Sequence, residues 1–556
     1  MNPWDGLADI RRFAREGFAS IPPEWIGTYF RWWGVYTQGD GAGVVGGKDG
    51  QGLALPFFMV RIRIPNGLLQ SHQLRAIGDL ARRYARGIAD LTVRQNIQLH
   101  WVTIESLPEV LEELWRVGLN TTGSCGDVTR NITGCPVAGV DADEICDASS
   151  LALEADRMLA GNAEFYNLPR KFKISITGCR VWCPYPEIND VGLTAVQRLV
   201  RENVREKAGE KPEIGFSLRV GGGLSTEPYL GAPLNAFVRW NQVLRVIRGV
   251  AELFRDSDQL REHRERARLK FLFLRHGWTS HDFQKELERR IGFELDPAEP
   301  EQPPADVYRD HIGIHPQKQA GYCYVGATVL RGRITPEQMQ AAADLADRFA
   351  DGKLRTTNMQ NLLIINVPRL QADELGKELG AIGLPVSGSP FWRGAIACSG
   401  SEFCKLAITE TKSFSRWLVE ELEERLPGFE QHLKLHVTGC PNSCGQHWIA
   451  DIGIEGKKIK IDEHMVDAYY FCLGGALGLN QSIARPVGFR CPATEVPEAI
   501  ERLLRRYLAE GNPGENLRHF FARHSDTELR NFLAGEPVEA VARDLPEGRV
   551  PSGVEG

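Results

Sequence analysis

The chain repeats itself, and that constrains its fold more than any other feature. DLARRYARG at 79–87 aligns with DLADRFADG at 344–352, an offset of 265. The same offset sets Thr92 on Thr357 and Gln95-Asn96 on Gln360-Asn361. Further on, TGCRVWCPYPEINDVG (177–192) aligns with TGCPNSCGQHWIADIG (438–453) at an offset of 261. Two ordered matches at nearly one offset mark a duplication, so two related halves are expected. The break between them is EPEQPPAD (299–306), in a stretch where Pro297, Pro300, Pro303 and Pro304 forbid a continuing helix or central strand.

Each half is expected to open with strand, helix and strand. In FFMVRIRIP, Val60, Ile62 and Ile64 alternate with Met59, Arg61 and Arg63. The 70–86 segment sets Leu74, Ile77, Leu80, Ala81 and Tyr84 at helical spacing. LTVRQNIQLHWV alternates again and reads as one strand, with Thr92, Arg94, Asn96, Gln98 and His100 on its polar face. Mixed patterns later in each half make the class α+β.

The copies have diverged. Arg61 and Arg94 fall opposite Gly326 and Met359, whereas the second half carries Cys398 and Cys404 in CSGSEFC and Cys440 and Cys444 in CPNSC. This pattern predicts one site at the junction, with cations from one half and thiols from the other. The net charge of −6 argues against nucleic-acid binding as the main task. Without an 18-residue apolar run or a signal-peptide core, a cytoplasmic protein that does not span a membrane is expected.

Nine of the twelve cysteines lie in four short stretches, 125–146, 179–183, 398–404 and 440–444, which reads as metal or redox chemistry. C-x5-C followed by C-x3-C supplies four thiols suited to an iron–sulfur cluster or zinc. The five-residue gap fits structural zinc poorly. Spacing alone leaves iron–sulfur, zinc and unligated cysteines open.

TGCPNSC-x6-DIGI (438–454), FMVRIRIPNG, LTVRQNIQ, NLPRKFK and CSGSEFC together resemble the signatures of the siroheme-dependent nitrite and sulfite reductases, over nearly the whole chain. The resemblance implies two ferredoxin-like lobes and two larger α/β siroheme and iron–sulfur domains. Its expected organisation is an N-terminal extension (1–50), lobes at 51–120 and 307–385, and larger domains at 121–296 and 386–535. The Pro-rich linker (297–306) and a tail (536–556) complete it.

The resemblance also implies roles. Cys398, Cys404 and Cys440 would ligate a 4Fe-4S cluster, and Cys444 would bridge the cluster to siroheme. Arg61, Arg130, Lys171 and Lys173 would bind the substrate oxyanion and feed protons. Lys171 and Lys173 are two apart in a strand-like run and share a face, with Phe172, Ile174 and Ile176 on the other. Arg94, Gln98, Arg170 and Asn442 match positions that contact siroheme or its carboxylates.

Lys173 matches sulfite-reducing members, where nitrite-reducing members commonly carry asparagine. TGCRVWC (177–183) and ARHSDTELRNFL (522–533) are instead similar to the nitrite-reducing branch. Six-electron reduction of sulfite to sulfide is therefore the leading expectation, and nitrite to ammonia the alternative. VGGGLS (220–225) is no dinucleotide fingerprint, so ferredoxin is the expected donor to a monomeric enzyme.

REHRERARLKFLFLRHG (261–277) reads as a solvated helix face, with ferredoxin docking as its functional alternative. Cys179 and Cys183 repeat the second half's C-x3-C, with Cys125, Cys135 and Cys146 nearby. The thiols suffice for a second cluster, but the family pattern calls for none, and a duplicated relic is expected. The rival from another class is a non-enzymatic zinc- or anion-binding protein, which would lack haem-like colour.

Overall fold

A computed structural model describes residues 6–38, 56–201, 210–305 and 307–536. Residues 1–5 and 39–50 of the expected N-terminal extension, 51–55 of the first lobe, 202–209 of the first larger domain, residue 306 of the linker and the tail beyond Glu536 lie outside the described residues.

The alternating segments pair as expected, with one departure. Phe58–Ile62 and Ile97–Val102 are neighbouring antiparallel strands, but LTVRQNIQLHWV is two strands rather than one. Ala89–Leu91 runs antiparallel to Ile97–Val102, and residues 92–96 turn between them. The Thr92 hydroxyl accepts from the backbone N–H groups of Arg94 (3.3 Å) and Asn96 (3.1 Å). That local bonding competes with the strand ladder. Gln95 takes a positive φ of 60°. The second half repeats the device at Thr357, with Gln360 at φ 61°.

The halves are interlaced. One five-stranded sheet runs Val35–Thr37, Phe58–Ile62, Ile97–Val102, Ala89–Leu91 and then Arg333–Ile334, a strand from the other half. Its counterpart runs Gly313–Pro316, Tyr322–Ala327, Leu362–Pro368, Lys353–Thr356 and then Leu68–Gln70. Each sheet is thus completed by a strand from the opposite copy. Helices Ser71–Tyr84 and Pro336–Phe349 pack on each other, crossing where Gly78 lies against Met339. A Cβ on Gly78 would stand 3.3 Å from the Met339 Cβ, so a small residue suits this crossing. One continuous core includes Val60, Ile77 and Leu80 together with Ala343, Leu354 and Ile364. The stretch expected as an extension also belongs to it, through Phe13, Trp25, Phe30 and Val35.

The two larger domains each build a sheet of mixed direction. Ile174–Thr177 is parallel to Val191–Arg201, which continues antiparallel to Glu210–Val220 and Ala232–Arg239. In the second copy Ala395–Ala397, Leu435–Thr438 and Ile452–Ile461 run parallel, followed antiparallel by His464–Leu473 and Arg485–Pro492. In both, the C-x3-C loop lies between two adjacent parallel strands, just beyond the carboxyl end of the first. Such ends are where α/β sheets usually hold ligands.

The linker has no regular structure at 297–305 and ties back through Glu301, which accepts from Arg219 and Ser217. No helix among the described residues is long and apolar enough to cross a membrane.

Candidate active site

A cavity opens at the junction of the halves. The first half supplies Arg61 from strand Phe58–Ile62, Arg94 from the hairpin tip, Arg130 from a loop, and Lys171 and Lys173 from the approach to strand Ile174–Thr177. The second half supplies Cys398, Cys404, Cys440 and Cys444, with Asn442 between the last two. Gln98 also lines it. Arg170 does not. It is ion-paired to Asp127 at 3.0 Å.

The strand containing Lys173's neighbours begins at Ile174, so the strand-like run is only partly a strand. The facing is nevertheless as spacing predicts. Both lysines reach the cavity while Phe172, Ile174 and Ile176 are buried in the domain core.

Of the five first-half cations, the three arginines are held by neutral groups. Arg61 donates to the carbonyl of Ser124 (3.1 Å), the Cys125 sulfur (3.1 Å) and the Tyr36 hydroxyl (3.4 Å). In the amide orientation that satisfies both side chains, Gln98 accepts from Arg61 Nε at 3.1 Å and Nη2 at 2.6 Å. Arg130 donates to the carbonyls of Gly126 and Ser124, and Arg94 to Asn189 Oδ1 (2.8 Å) and the Asn131 carbonyl (2.5 Å). Among the described residues, no carboxylate forms an ion pair with any of the five.

Taking charge out of water without an ion-paired carboxylate is costly, and the titration of these half-buried groups reflects it. Burial pushes Arg94 down to about 9 and Arg130 down to about 10. Burial also pushes Lys171 down to about 8, against the pull of Cys444. Burial and then the neighbouring Lys171 hold Lys173 well below the usual lysine range. Burial works against the Arg61 charge too, but Cys125 and Tyr36 outweigh it. A pocket that concentrates unpaired positive charge is made for anions.

The thiol wall has backbone donors. Gly439 N–H donates to the Cys398 sulfur at 3.2 Å, and the Asn442 amide donates to Cys440 Sγ at 3.6 Å. Burial raises the Cys398 and Cys404 thiols, the latter to about 12. Cys444 is exposed at the opening. Arg94 Nε, Ser124 Oγ, Ser443 Oγ and Gln446 Oε1 are buried in the same wall without a hydrogen-bond partner. Orphaned donors and acceptors around four thiols fit a polar, metal-bearing group.

Several wall residues escaped the sequence reading. Tyr36 comes from the presumed extension. Gln360 comes from the second hairpin tip, where it accepts from Ala397 N–H (3.1 Å) and so fixes the backbone next to Cys398. Arg268 and Lys412 are also on the wall. Arg268 donates to Asp190 at 2.9 Å and 3.3 Å. The 261–277 segment is therefore not one solvated helix. It breaks into turns and a short helix, Phe271–Arg275, and buries Arg268 and Lys270. The duplication was the available signal for Gln360, since Gln95 stands at its equivalent; nothing in the sequence singled out Lys412.

Comparison with known proteins agrees with this architecture. Residues 125–295 and 389–539 match the family described as the nitrite and sulphite reductase 4Fe-4S domain. Residues 54–116 and 315–382 match the nitrite/sulfite reductase ferredoxin-like half domain. The assimilatory ferredoxin-dependent nitrite reductase of Haloferax mediterranei is 36% identical, covering 96% of this chain and 91% of that protein. The sulfite reductase [ferredoxin] of Mycobacterium tuberculosis is also 36% identical, covering 95% and 94%. The solved structure of the Mycobacterium tuberculosis NirA protein superposes with a TM-score of 0.88 at 34% identity, covering 95% of this chain and 96% of that one. These matches remove the non-enzymatic reading. The chain belongs to the nitrite and sulfite reductase family of oxidoreductases, built from paired ferredoxin-like half domains and paired 4Fe-4S domains.

Proposed function

We propose that this enzyme reduces sulfite to sulfide with six electrons from ferredoxin, as a cytoplasmic single-chain reductase. The observation that supports it is the set of half-buried cations, lacking carboxylate ion pairs, across the cavity from four thiols. Cys398, Cys404 and Cys440 would hold a 4Fe-4S cluster, with Cys444 shared between cluster and siroheme. Arg94, Gln98 and Asn442 would hold siroheme and its carboxylates. Arg170, off the cavity wall, is left out of that set. When bound, siroheme supplies the iron at which the substrate is reduced and, with the cluster, a store for single electrons.

The chain's own part is electrostatic. Arg61, Arg130, Lys171 and Lys173 bind the oxyanion and hold protons at their nitrogens for delivery to oxygens leaving as water. One such cation about 4 Å from an anion contributes up to about 4 kcal/mol at an effective dielectric near 20. Lys173 supports sulfite over nitrite, because an additional cation suits the more highly charged and larger oxyanion. Nitrite to ammonia, with the same cofactors, is the second reading, favoured by the Haloferax relative's name.

Product analysis tests the reading. Anaerobic enzyme with photoreduced donor is offered each anion separately; dithionite is unsuitable because its oxidation makes sulfite. Higher kcat/KM for sulfite, with sulfide formed, is expected. A clear preference for nitrite, with ammonia formed, would move the assignment to the second reading. Neither product from siroheme-loaded enzyme would sink both.

A further inference from the structure

The duplication that built the active site also built its counterpart in the other half, and the counterpart is closed. Gly326, Met359 and Leu363 stand where the first copy has Arg61, Arg94 and Gln98. Gly326 has no room for a side chain, since a Cβ there would meet the His311 carbonyl oxygen at 1.7 Å. Leu363 and Ile365 join Val137, Val140 and Tyr324 in a small apolar cluster. Among the described residues, this apolar cluster, which takes in Cys135, Cys179 and Cys183, occupies that position.

The cysteines, however, have remained. Cys179 and Cys183 are the counterparts of Cys440 and Cys444. Thr133 bridges Ser175 in parallel as Ile396 pairs with His436, so Cys135, two residues on, takes the position of Cys398. All three are buried. The sulfurs of Cys135 and Cys183 and a ring nitrogen of His311 lie within 4.8 Å of one another. Cys179 Sγ stands 3.5 Å from Cys183 Sγ, and Cys183 N–H points at Cys179 Sγ at 3.4 Å.

His311 supplies the independent observation. It is 3% exposed, and neither ring nitrogen has a hydrogen-bond partner. A buried imidazole with both nitrogens orphaned costs free energy that a metal bond would recover. Its backbone is also held at a φ of 62°, uncommon for a residue with a side chain.

We propose that Cys135, Cys179, Cys183 and His311 form a second metal site, holding one tetrahedral zinc ion as a structural clamp. Three sulfurs and one nitrogen are a recognised structural zinc set. A zinc–sulfur bond of about 2.3 Å sets tetrahedral sulfurs about 3.8 Å apart, close to the Cys179–Cys183 separation. This spacing suits one ion; a four-iron cluster needs its thiols further apart. Among the described residues, no three of the active-site cysteines come within 4.8 Å of one another. Binding releases the thiol protons to solvent and leaves a net charge of −1 on the site. The Arg309 guanidinium, beside Cys183 and paired with Asp141, faces that charge. The ion would tie the first half's two cysteine loops to the segment after the linker, whatever anion the active site reduces.

The test is metal analysis with zinc-edge X-ray absorption on full-length holoenzyme, prepared without chelator and supplied with Zn²⁺. The expected result is one zinc per chain, with three sulfurs at about 2.3 Å and one nitrogen at about 2.0 Å. H311C should keep the zinc and change its shell to four sulfurs. C183S and H311L should lose at least nine-tenths of it while active-site iron stays unchanged. Three results would each overturn the proposal. They are wild-type enzyme that takes up no zinc under anaerobic reducing conditions, a Cys179–Cys183 disulfide or extra iron instead, and zinc that survives C183S. Should H311L fail to fold, the wild-type and H311C shells still decide.

Discussion

Gln95 and Gln360 make the same two hydrogen bonds from opposite halves of the chain. Gln95 donates to the Thr356 carbonyl at 3.1 Å and accepts from Gly134 N–H at 3.1 Å. Gln360 donates to the Leu91 carbonyl at 2.9 Å and accepts from Ala397 N–H at 3.1 Å. Leu91 and Thr356 are themselves related by the 265-residue offset. Each hairpin tip thus bonds to the strand before the other tip and to the residue just before a cysteine in its own half. The consequences differ, because only the Gln360 contact lies next to a cysteine of the cavity wall, Cys398.

Replacing either glutamine by leucine strands a buried carbonyl and a buried N–H. Each variant should lose stability, at about 1–3 kcal/mol per stranded group, read from denaturant midpoints at constant m. Q360L should also lose bound iron, and Q95L should keep it. Equal iron in both variants would show that Gln360 does not position Cys398.

Removing a cation that binds the oxyanion should weaken the transition state more than the fold. R130M and K171M should each lower kcat/KM by about 10²–10³-fold, with circular dichroism and siroheme absorption unchanged. Activity within threefold of wild type would remove that residue from the substrate site.

Lys173→Asn should shift the ratio of kcat/KM values toward nitrite, because it takes one positive charge from a cavity proposed to hold a dianion. The ratio, rather than either rate alone, is the quantity to follow. An unchanged ratio would refute Lys173 as a specificity determinant.

Asp90 provides a pH-dependent test of the interface between halves. It accepts from His100 (3.1 Å) and from Arg333 of the other half (3.0 Å). Burial works to raise its pKa, but Lys412 first, then His100 and Arg333, hold it well below the usual carboxylate range. Because the folded pKa is depressed, its contribution is complete above the unfolded value of about 3.9 and shrinks as pH falls below it. D90N should cost about 3–5 kcal/mol near neutral pH. The gap between wild type and variant should narrow by about 1.4 kcal/mol per pH unit below about 3.9. Denaturant titrations at several pH values measure it, and a pH-independent gap would contradict the assignment.

Cys440→Ser removes a proposed cluster ligand whose sulfur also receives the Asn442 amide. Non-haem iron and acid-labile sulfide should fall together in C440S, with the chain still folded by circular dichroism. Full retention of both would exclude Cys440 as a ligand.

Much of this protein was legible in its sequence because its signals are local or repeated. Alternation in FFMVRIRIP and helical spacing at 70–86 are enforced by neighbours along the chain, and the duplication doubles each signal. The two-residue spacing of Lys171 and Lys173 was enough to set both on one face. The four cysteines of the cavity wall stood out by clustering. Where the reading failed, a local bond overrode the pattern: the Thr92 hydroxyl breaks an otherwise alternating run and carries Arg94 to a hairpin tip.

Pairing over long distances along the chain was not legible. Nothing in LLQ or RI says that Leu68–Gln70 completes one sheet and Arg333–Ile334 the other. Backbone hydrogen bonding is indifferent to side-chain identity, so only the assembled fold decides which edge each strand joins. The same holds for Arg268 and Lys412, whose charges look like surface residues until packing encloses them, and for His311, which meets Cys135 and Cys183 only once the halves have interlaced. The sequence by itself determined the duplication, the element types and the thiol and cation sets. The tertiary structure decided which of the two related sites stays open to an anion and which closes around three cysteines and a histidine. The reason is steric and electrostatic: Arg61 has space and neutral hydrogen-bond partners, whereas its counterpart Gly326 abuts a backbone carbonyl.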